Sequence, residues 1–221
     1  MSTVLITGAG RDNSIAAGIT SRLVSDGWTV CTSDLDSGDY PCDLSSSQGA
    51  QDLIDRVSRD HGTLDGLILS HAHCEESGIL DTTAESFDRH VAVNARASML
   101  LIAAFARQIG DEGGAIIAFT SDHTSGNLPY GASKGALDRI VISAARELGP
   151  RKISANVVNP GPIDTGWMDE KTRTELIPYQ PLGRMGTPRD IAGVTAFLLS
   201  AEGRWVSGQL LSADGGFSAR Y

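Results

Sequence analysis

Short apolar runs alternate with longer amphipathic ones along the whole chain. Thr3 to Ile6 reads as a strand, and Ser14 to Asp26 as a helix with Ile15, Ile19, Leu23 and Val24 on one face. Trp28 to Ser33 is a second strand, and a short segment, Asp36 to Cys42, then reaches Asp43. A Ser45–Gln48 capping box opens a helix to about Asp60, and Leu64 to Ser70 is an apolar strand. A second box, Thr82–Glu85, starts a helix that runs through Val91 and Asn94 to about Gln108. Gly114 to Ser121 is a strand, and the helix carrying Lys134 runs to about Leu148. Ile153 to Val158 is a strand ended by Asn159-Pro160-Gly161-Pro162. Thr187, with Pro188 in the first turn, caps a helix to about Ser200. Gln209 to Ser212 is the last strand, closed by Asp214-Gly215-Gly216.

Repeated β–α units with apolar strands predict an α/β fold, a single doubly wound parallel sheet with helices on both faces. No repeat, low-complexity run or linker divides the chain, so residues 1–221 are expected to form one domain. Such sheets bind ligands beyond the carboxyl ends of their strands. With 41% hydrophobic residues in 221, a sizeable core is expected. The net charge of -9 argues against nonspecific nucleic-acid binding, but not against a small anion held at a helix N-terminus. Cys31, Cys42 and Cys74 are odd in number and fit no zinc spacing. They read as buried or inert free thiols of a reducing compartment, and no metal site is expected. The start shows no basic region followed by a long apolar run, and no stretch approaches the roughly 18 apolar residues of a membrane helix. A cytoplasmic protein without a membrane partner is the expectation.

Three clusters at predicted strand ends carry chemistry. The first strand runs into Thr7-Gly8-Ala9-Gly10-Arg11-Asp12-Asn13-Ser14-Ile15-Ala16. Glycines there let the backbone approach a pyrophosphate, and the next helix offers its first amides. Asp34 ends the second strand, where a carboxylate can accept hydrogen bonds from both hydroxyls of an adenosine ribose and would repel a 2′-phosphate. No Arg or Lys lies between Asp34 and Arg56, which favours NAD(H) over NADP(H). Tyr130 and Lys134 stand four apart, on one face of a helix. Either they are a coincidental exposed pair, or the ammonium lowers the phenol's pKa of roughly 10 and readies it for proton transfer.

In order and spacing, Thr7-Gly8, Asp34, Asp43-Leu44, Asn94, Ser121, Tyr130 with Lys134, Asn159-Pro160-Gly161, Thr165 and Asp214-Gly215-Gly216 resemble a short-chain dehydrogenase/reductase over nearly the whole chain. The resemblance implies a Rossmann-type fold and a nicotinamide cofactor. It implies Tyr130 as acid/base and Lys134 as the group that lowers its pKa and binds the nicotinamide ribose. Ser121 would hold the substrate oxygen, and Asn94 a water that links Lys134 to solvent. Gly8, Arg11, Ser14 and Ile15 would meet the cofactor at the turn, and Asp43 with Leu44 at the adenine. Ser70, His71 and Ala72 would line the adenosine side. Pro160, Gly161, Ile163 and Thr165 would hold the nicotinamide carboxamide. A homotetramer or homodimer is implied, built partly on the helices that begin near Thr82 and Pro129.

The pattern departs from the family in four places. Ser70-His71-Ala72-His73 replaces Asn-Asn-Ala-Gly, and the histidines read as structural, or else as a second acid/base or a metal pair. The turn from Gly8 to Ser14-Ile15-Ala16 resembles the enoyl-reductase branch, while the four-residue Tyr130–Lys134 step speaks for carbonyl/alcohol chemistry. The segment from Asp34 to Asp43 is too short for a helix, which predicts an open adenine pocket. Ser121 precedes Tyr130 by only nine residues, so either Ser121 or Ser125 is the serine of the site, with His123 in the same loop. Trp167 to Pro181 is expected to form a substrate lid, with Trp167, Met168, Leu176, Ile177 and Tyr179 as apolar candidates. The expected reaction interconverts a secondary alcohol and a ketone on a small-molecule substrate. The alternatives are a cofactor-binding sensor or scaffold, and an enoyl-reductase-like activity. Halohydrin dehalogenation is disfavoured, because those relatives carry Arg where this chain has Lys134.

Overall fold

A computed structural model describes residues 2–166 and 168–219. Six parallel strands, β1 (Thr3–Thr7), β2 (Thr29–Ser33), β3 (Gly66–Leu69), β4 (Gly114–Phe119), β5 (Ile153–Asn159) and β6 (Leu210–Ser212), pair in the order β2-β1-β3-β4-β5-β6. The order reverses direction beside β1, as in a doubly wound sheet, and opens a crevice at the carboxyl ends of β1 and β3. Alternate strand residues feed two cores. Leu5, Leu67, Leu69, Ile116, Ala118 and Val157 face α2 (Ser47–His61), α4 (Ala97–Gln108) and α5 (Leu128–Leu148). Val4, Ile6, Ile68, Ile117 and Val158 face α1 (Ile15–Ser25) and α7 (Pro188–Leu199). Burial on both faces is why the centres of β1, β3 and β4 read as apolar runs rather than alternating ones, while β5 buries Ser154 and Asn156 as well.

The helix starts shift where hydroxyl residues are adjacent. Ser46, not Ser45, caps α2 by accepting from Gly49 N, and Gln48 instead donates to Asp52. Thr83, not Thr82, caps α3 (Ala84–His90), while Thr82 turns back to the Gly78 carbonyl. Thr187 and Asp190 do form a reciprocal capping box on α7. On α1, Val24 is 58% exposed, contrary to the expected apolar face, because it lies one residue round from the buried Ile19–Leu23 stripe. The long helix expected from Thr82 to Gln108 is not one α-helix. Between α3 and α4, Val91–Arg96 winds as a π-helix, with Ala97 N–H bonding the Ala92 carbonyl. Between β2 and Asp43 there is no helix. The chain loops round at Asp36–Gly38 instead and then runs beside β2 in the same direction, with Tyr40 N and Cys42 N donating to the Thr32 and Asp34 carbonyls. In the expected lid, Glu170–Leu176 is a short helix, α6, followed by a 3-10 turn at Ile177–Tyr179. Trp167 lies outside the described residues. No helix among the described residues is long and apolar enough to cross a membrane.

Candidate active site

The turn after β1 leaves no room for side chains. Gly8 adopts φ +75, and a Cβ there would lie 2.5 Å from the His71 backbone. A Cβ on Gly10 would strike Ser37 and the Asp34 carboxylate. Asp34, half-buried at the end of β2, accepts from Gly10 N at 2.8 Å and Leu35 N at 2.7 Å. Each carboxylate oxygen keeps lone-pair capacity for a further donor. Ser14 caps α1, accepting from Ala17 N while donating to the Arg11 carbonyl, so Ile15 opens the helix. Glycines that admit only backbone, a helix N-terminus beside them and a strand-end carboxylate together fit a dinucleotide.

Other residues expected near a cofactor fall into two groups. Ser70 and Ala72 edge the crevice, half-buried and exposed respectively. Gly161 takes φ +61 against Asp214, beside the buried Pro160, and Thr165 is half-buried. Leu44 and Ile163, by contrast, spend their side chains in the two cores. Asp43 is exposed, and hydrogen bonds from Ser45 hold its carboxyl below the usual range.

His71 is structural. Its Nε2 faces the Val93 carbonyl at 3.1 Å, which can only accept, so Nε2 carries the proton and Nδ1 accepts from the Thr7 hydroxyl at 2.6 Å. Burial, reinforced by Lys134, pushes its pKa down to about 3. His73 packs its ring on His90, with centroids 4.5 Å apart. Among the described residues no group of three His, Cys, Asp or Glu could hold a metal ion. Asn94, in the π-turn, clamps the His73 backbone from both sides. Its Oδ1 accepts from His73 N at 2.7 Å, and its Nδ2 donates to the His73 carbonyl and to Ser133 Oγ, both at 2.9 Å. Rare π-turns recur at functional sites, and this one turns Asn94 towards the helix of Tyr130 and Lys134.

Tyr130 and Lys134 share one face of α5, with the ammonium 5.7 Å from the centre of the phenol ring. Lys134 is buried and donates to the Phe119 carbonyl at 2.8 Å. Burial pulls its pKa down to about 8, opposed by Asp138 and Cys74. The expected lowering of the Tyr130 pKa is reversed. Burial first, and then Cys74, push it up to about 12. Desolvation outweighs the neighbouring cation, and the phenol is neutral across the physiological range. Ser121 is half-buried just past β4 and accepts from His123 N at 3.3 Å. Ser125 is exposed and lines, with Asp122, His123, Thr124, Phe217 and Ser218, a cleft of about 420 Å³. The His123 carbonyl packs against Gly131, which places this cleft next to Tyr130.

A family model described as enoyl-(acyl carrier protein) reductase matches residues 8–218. The uncharacterized oxidoreductase YjdA of Bacillus subtilis (strain 168) is 35% identical, over 96% of this chain and 95% of its own. The chain is a short-chain dehydrogenase/reductase. Another relative, the cyclic-di-GMP-binding biofilm dispersal mediator protein of Escherichia coli (strain K12), is 34% identical over 98% of this chain and 97% of its own. The crystal structure of a blue fluorescent protein from a metagenomic library, in complex with NADPH, superposes with a TM-score of 0.88 at 28% identity, covering 98% of both chains. A short-chain dehydrogenase/reductase from Serratia marcescens BCRC 10948 gives 0.89 at 27%, again over 98% of both. As a short-chain dehydrogenase/reductase, the protein is an oxidoreductase with a nicotinamide-binding Rossmann fold.

Several residues around Tyr130 and Lys134 were not anticipated from the sequence. Cys74 is exposed, not buried, accepts from Asn127 Nδ2 at 3.1 Å, and stands close enough to act on both Tyr130 and Lys134. Nothing in its sequence neighbourhood announces that. Ser133, donating to the Tyr130 carbonyl at 2.8 Å, and Asp138, four residues beyond Lys134, follow from the helical spacing already used for the pair.

Proposed function

We propose that this short-chain dehydrogenase/reductase interconverts a secondary alcohol and a ketone with NAD(H), using Tyr130 as acid/base. The observation that carries the reading is a half-buried phenol whose ring centre lies 5.7 Å from a buried lysine ammonium, where α5 meets the end of β4. Such a phenol suits proton donation to a carbonyl oxygen. Ser121 Oγ would donate a hydrogen bond to the same oxygen, and the Lys134 ammonium would stabilise the phenolate left behind. When bound, the nicotinamide would give or take the hydride. The Gly8 turn and the α1 N-terminus would hold its pyrophosphate, Asp34 the adenosine ribose, and the Pro160–Thr165 segment its carboxamide. The Asp34 carboxylate supports NAD(H), since a 2′-phosphate would meet its charge. A homodimer or homotetramer is part of the same reading.

A second reading, enoyl reduction, is favoured by the description of the matching family model and by Ser14 in the turn. Ketone, aldehyde and enoyl-thioester panels, each run with NADH and NADPH and followed by nicotinamide absorbance, separate the two. Ketone turnover with NADH is expected. Turnover of enoyl thioesters alone would replace the proposal with the second reading. Tight NADH binding with no turnover on any panel would leave a sensor or scaffold.

A further inference from the structure

Lys134 is only 2% exposed, and one of its three N–H donors goes to the Phe119 carbonyl. A buried ammonium is costly unless a counter-charge lies near. One helical turn further along α5 sits Asp138, half-buried, with its Oδ1 fully enclosed and without a hydrogen-bond partner. Thr120, the residue after Phe119, approaches the carboxyl, and its own hydroxyl is likewise enclosed and forms no regular hydrogen bond. Tyr130, Lys134 and Asp138 thus form a ladder at successive turns. We propose that Asp138 is the counter-charge of Lys134, a positioning residue that keeps the ammonium charged beneath Tyr130. Its relevance to catalysis rests on the alcohol/ketone reading given above.

Among the described residues, no other strong charge acts on the ammonium. Towards it face His71, which is neutral, the Cys74 thiol, the Tyr130 phenol and Asp138. Towards Asp138 face Lys134, Arg139 and the Thr120 hydroxyl. Burial raises the Asp138 pKa, and these three neighbours oppose the rise.

The chain has three lysines, and Lys152 and Lys171 are exposed. Labelling the lysine Cε carbons of the full chain with 13C therefore gives three signals to follow with pH, and Lys134→Met identifies the one from Lys134. In the native protein that signal is expected to titrate near pH 8. It should also carry a second, smaller inflection at acid pH, where Asp138 takes up its proton. Asp138→Asn should move the main midpoint down by about one pH unit and erase the inflection. Asp138→Glu should restore most of both, and Lys152 and Lys171 should not move. An unchanged Lys134 midpoint in Asp138→Asn would overturn the proposal. If that variant does not fold, the absence of the acid inflection in the native protein would overturn it. With a ketone substrate, the alkaline limb of turnover should move to lower pH in Asp138→Asn. A shifted Lys134 signal with no ketone turnover in either protein would support the counter-charge and count against the alcohol/ketone reading.

Discussion

The two ends of the sheet's carboxyl edge are built on different physics. At β1 and β2 the proposed binding groups are backbone amides around Gly8 and Gly10 and a half-exposed carboxylate, Asp34. At β4 and α5 the proposed groups are side chains drawn back from water, Lys134 and Asn94 buried and Tyr130 half-buried. Gripping a solvated polyanion needs shape and local dipoles, which survive next to water. Moving a proton needs shifted pKa values, and desolvation supplies the shift. The difference predicts that binding and turnover separate by mutation. Tyr130→Phe should lower turnover by about 10²–10⁴-fold. NADH affinity, read by fluorescence titration, should change less than about twofold, because the phenol supplies none of the turn's contacts. Parallel losses in both would mean that the two regions work as one unit.

The converse variant is Gly8→Ala. Its Cβ would press on the His71 backbone from a left-handed φ. Urea unfolding should show a loss of about 3 kcal/mol, the sum of overpacking and left-handed strain. NADH binding should weaken, while the Lys134 environment stays native by NMR.

Much of the local structure around Gly8 and Asp34 was legible in the sequence, and less of that around Tyr130 and Lys134. The β–α alternation and the glycine turn follow from periodicity and from what glycine permits. The helix starts slipped by one residue because Ser45-Ser46 and Thr82-Thr83 offer equivalent hydroxyls, and chain geometry chooses between them. The π-turn was not legible, since Asn94 is tied to His73, 21 residues away. The direction of the Tyr130 shift was misread for a related reason. Spacing identifies a neighbour such as Lys134, whereas dryness depends on everything packed around the pair.

That dryness carries a stability cost, which sharpens the comparison further. The Lys134 pKa falls from 10.5 to about 8 on folding, so the unfolded chain holds this proton more tightly. The charged lysine therefore opposes folding fully below about pH 8, and the penalty fades as pH rises towards 10.5. Lys134→Met should be more stable by about 2 kcal/mol at pH 7, after allowing for the lost bond to Phe119. Its advantage should shrink above pH 8 in thermal or urea unfolding, and its turnover should collapse. A variant that is less stable at pH 7 would mean that Asp138 and the Phe119 carbonyl more than offset the burial.

His71 links the two regions and gives the smallest effect. It joins Thr7, beside the glycine turn, to Val93, beside Asn94. Its pKa falls from 6.5 to about 3, so the folded protein refuses a proton that the unfolded chain accepts. The stability from neutral His71 is fully present above pH 6.5 and is lost as pH falls, by up to about 1.4 kcal/mol per pH unit. His71→Gln removes this titration and, at neutral pH, should cost about 1 kcal/mol for hydrogen bonds remade imperfectly. Since acid weakens only the histidine protein by this route, the two stability curves should converge below pH 6.5 and cross about one unit lower. Parallel curves would mean that His71 protonates within the fold, and Thr7 and Val93 could not then both keep their bonds to it. The neutral ring would no longer be what joins the Gly8 turn to the Asn94 turn.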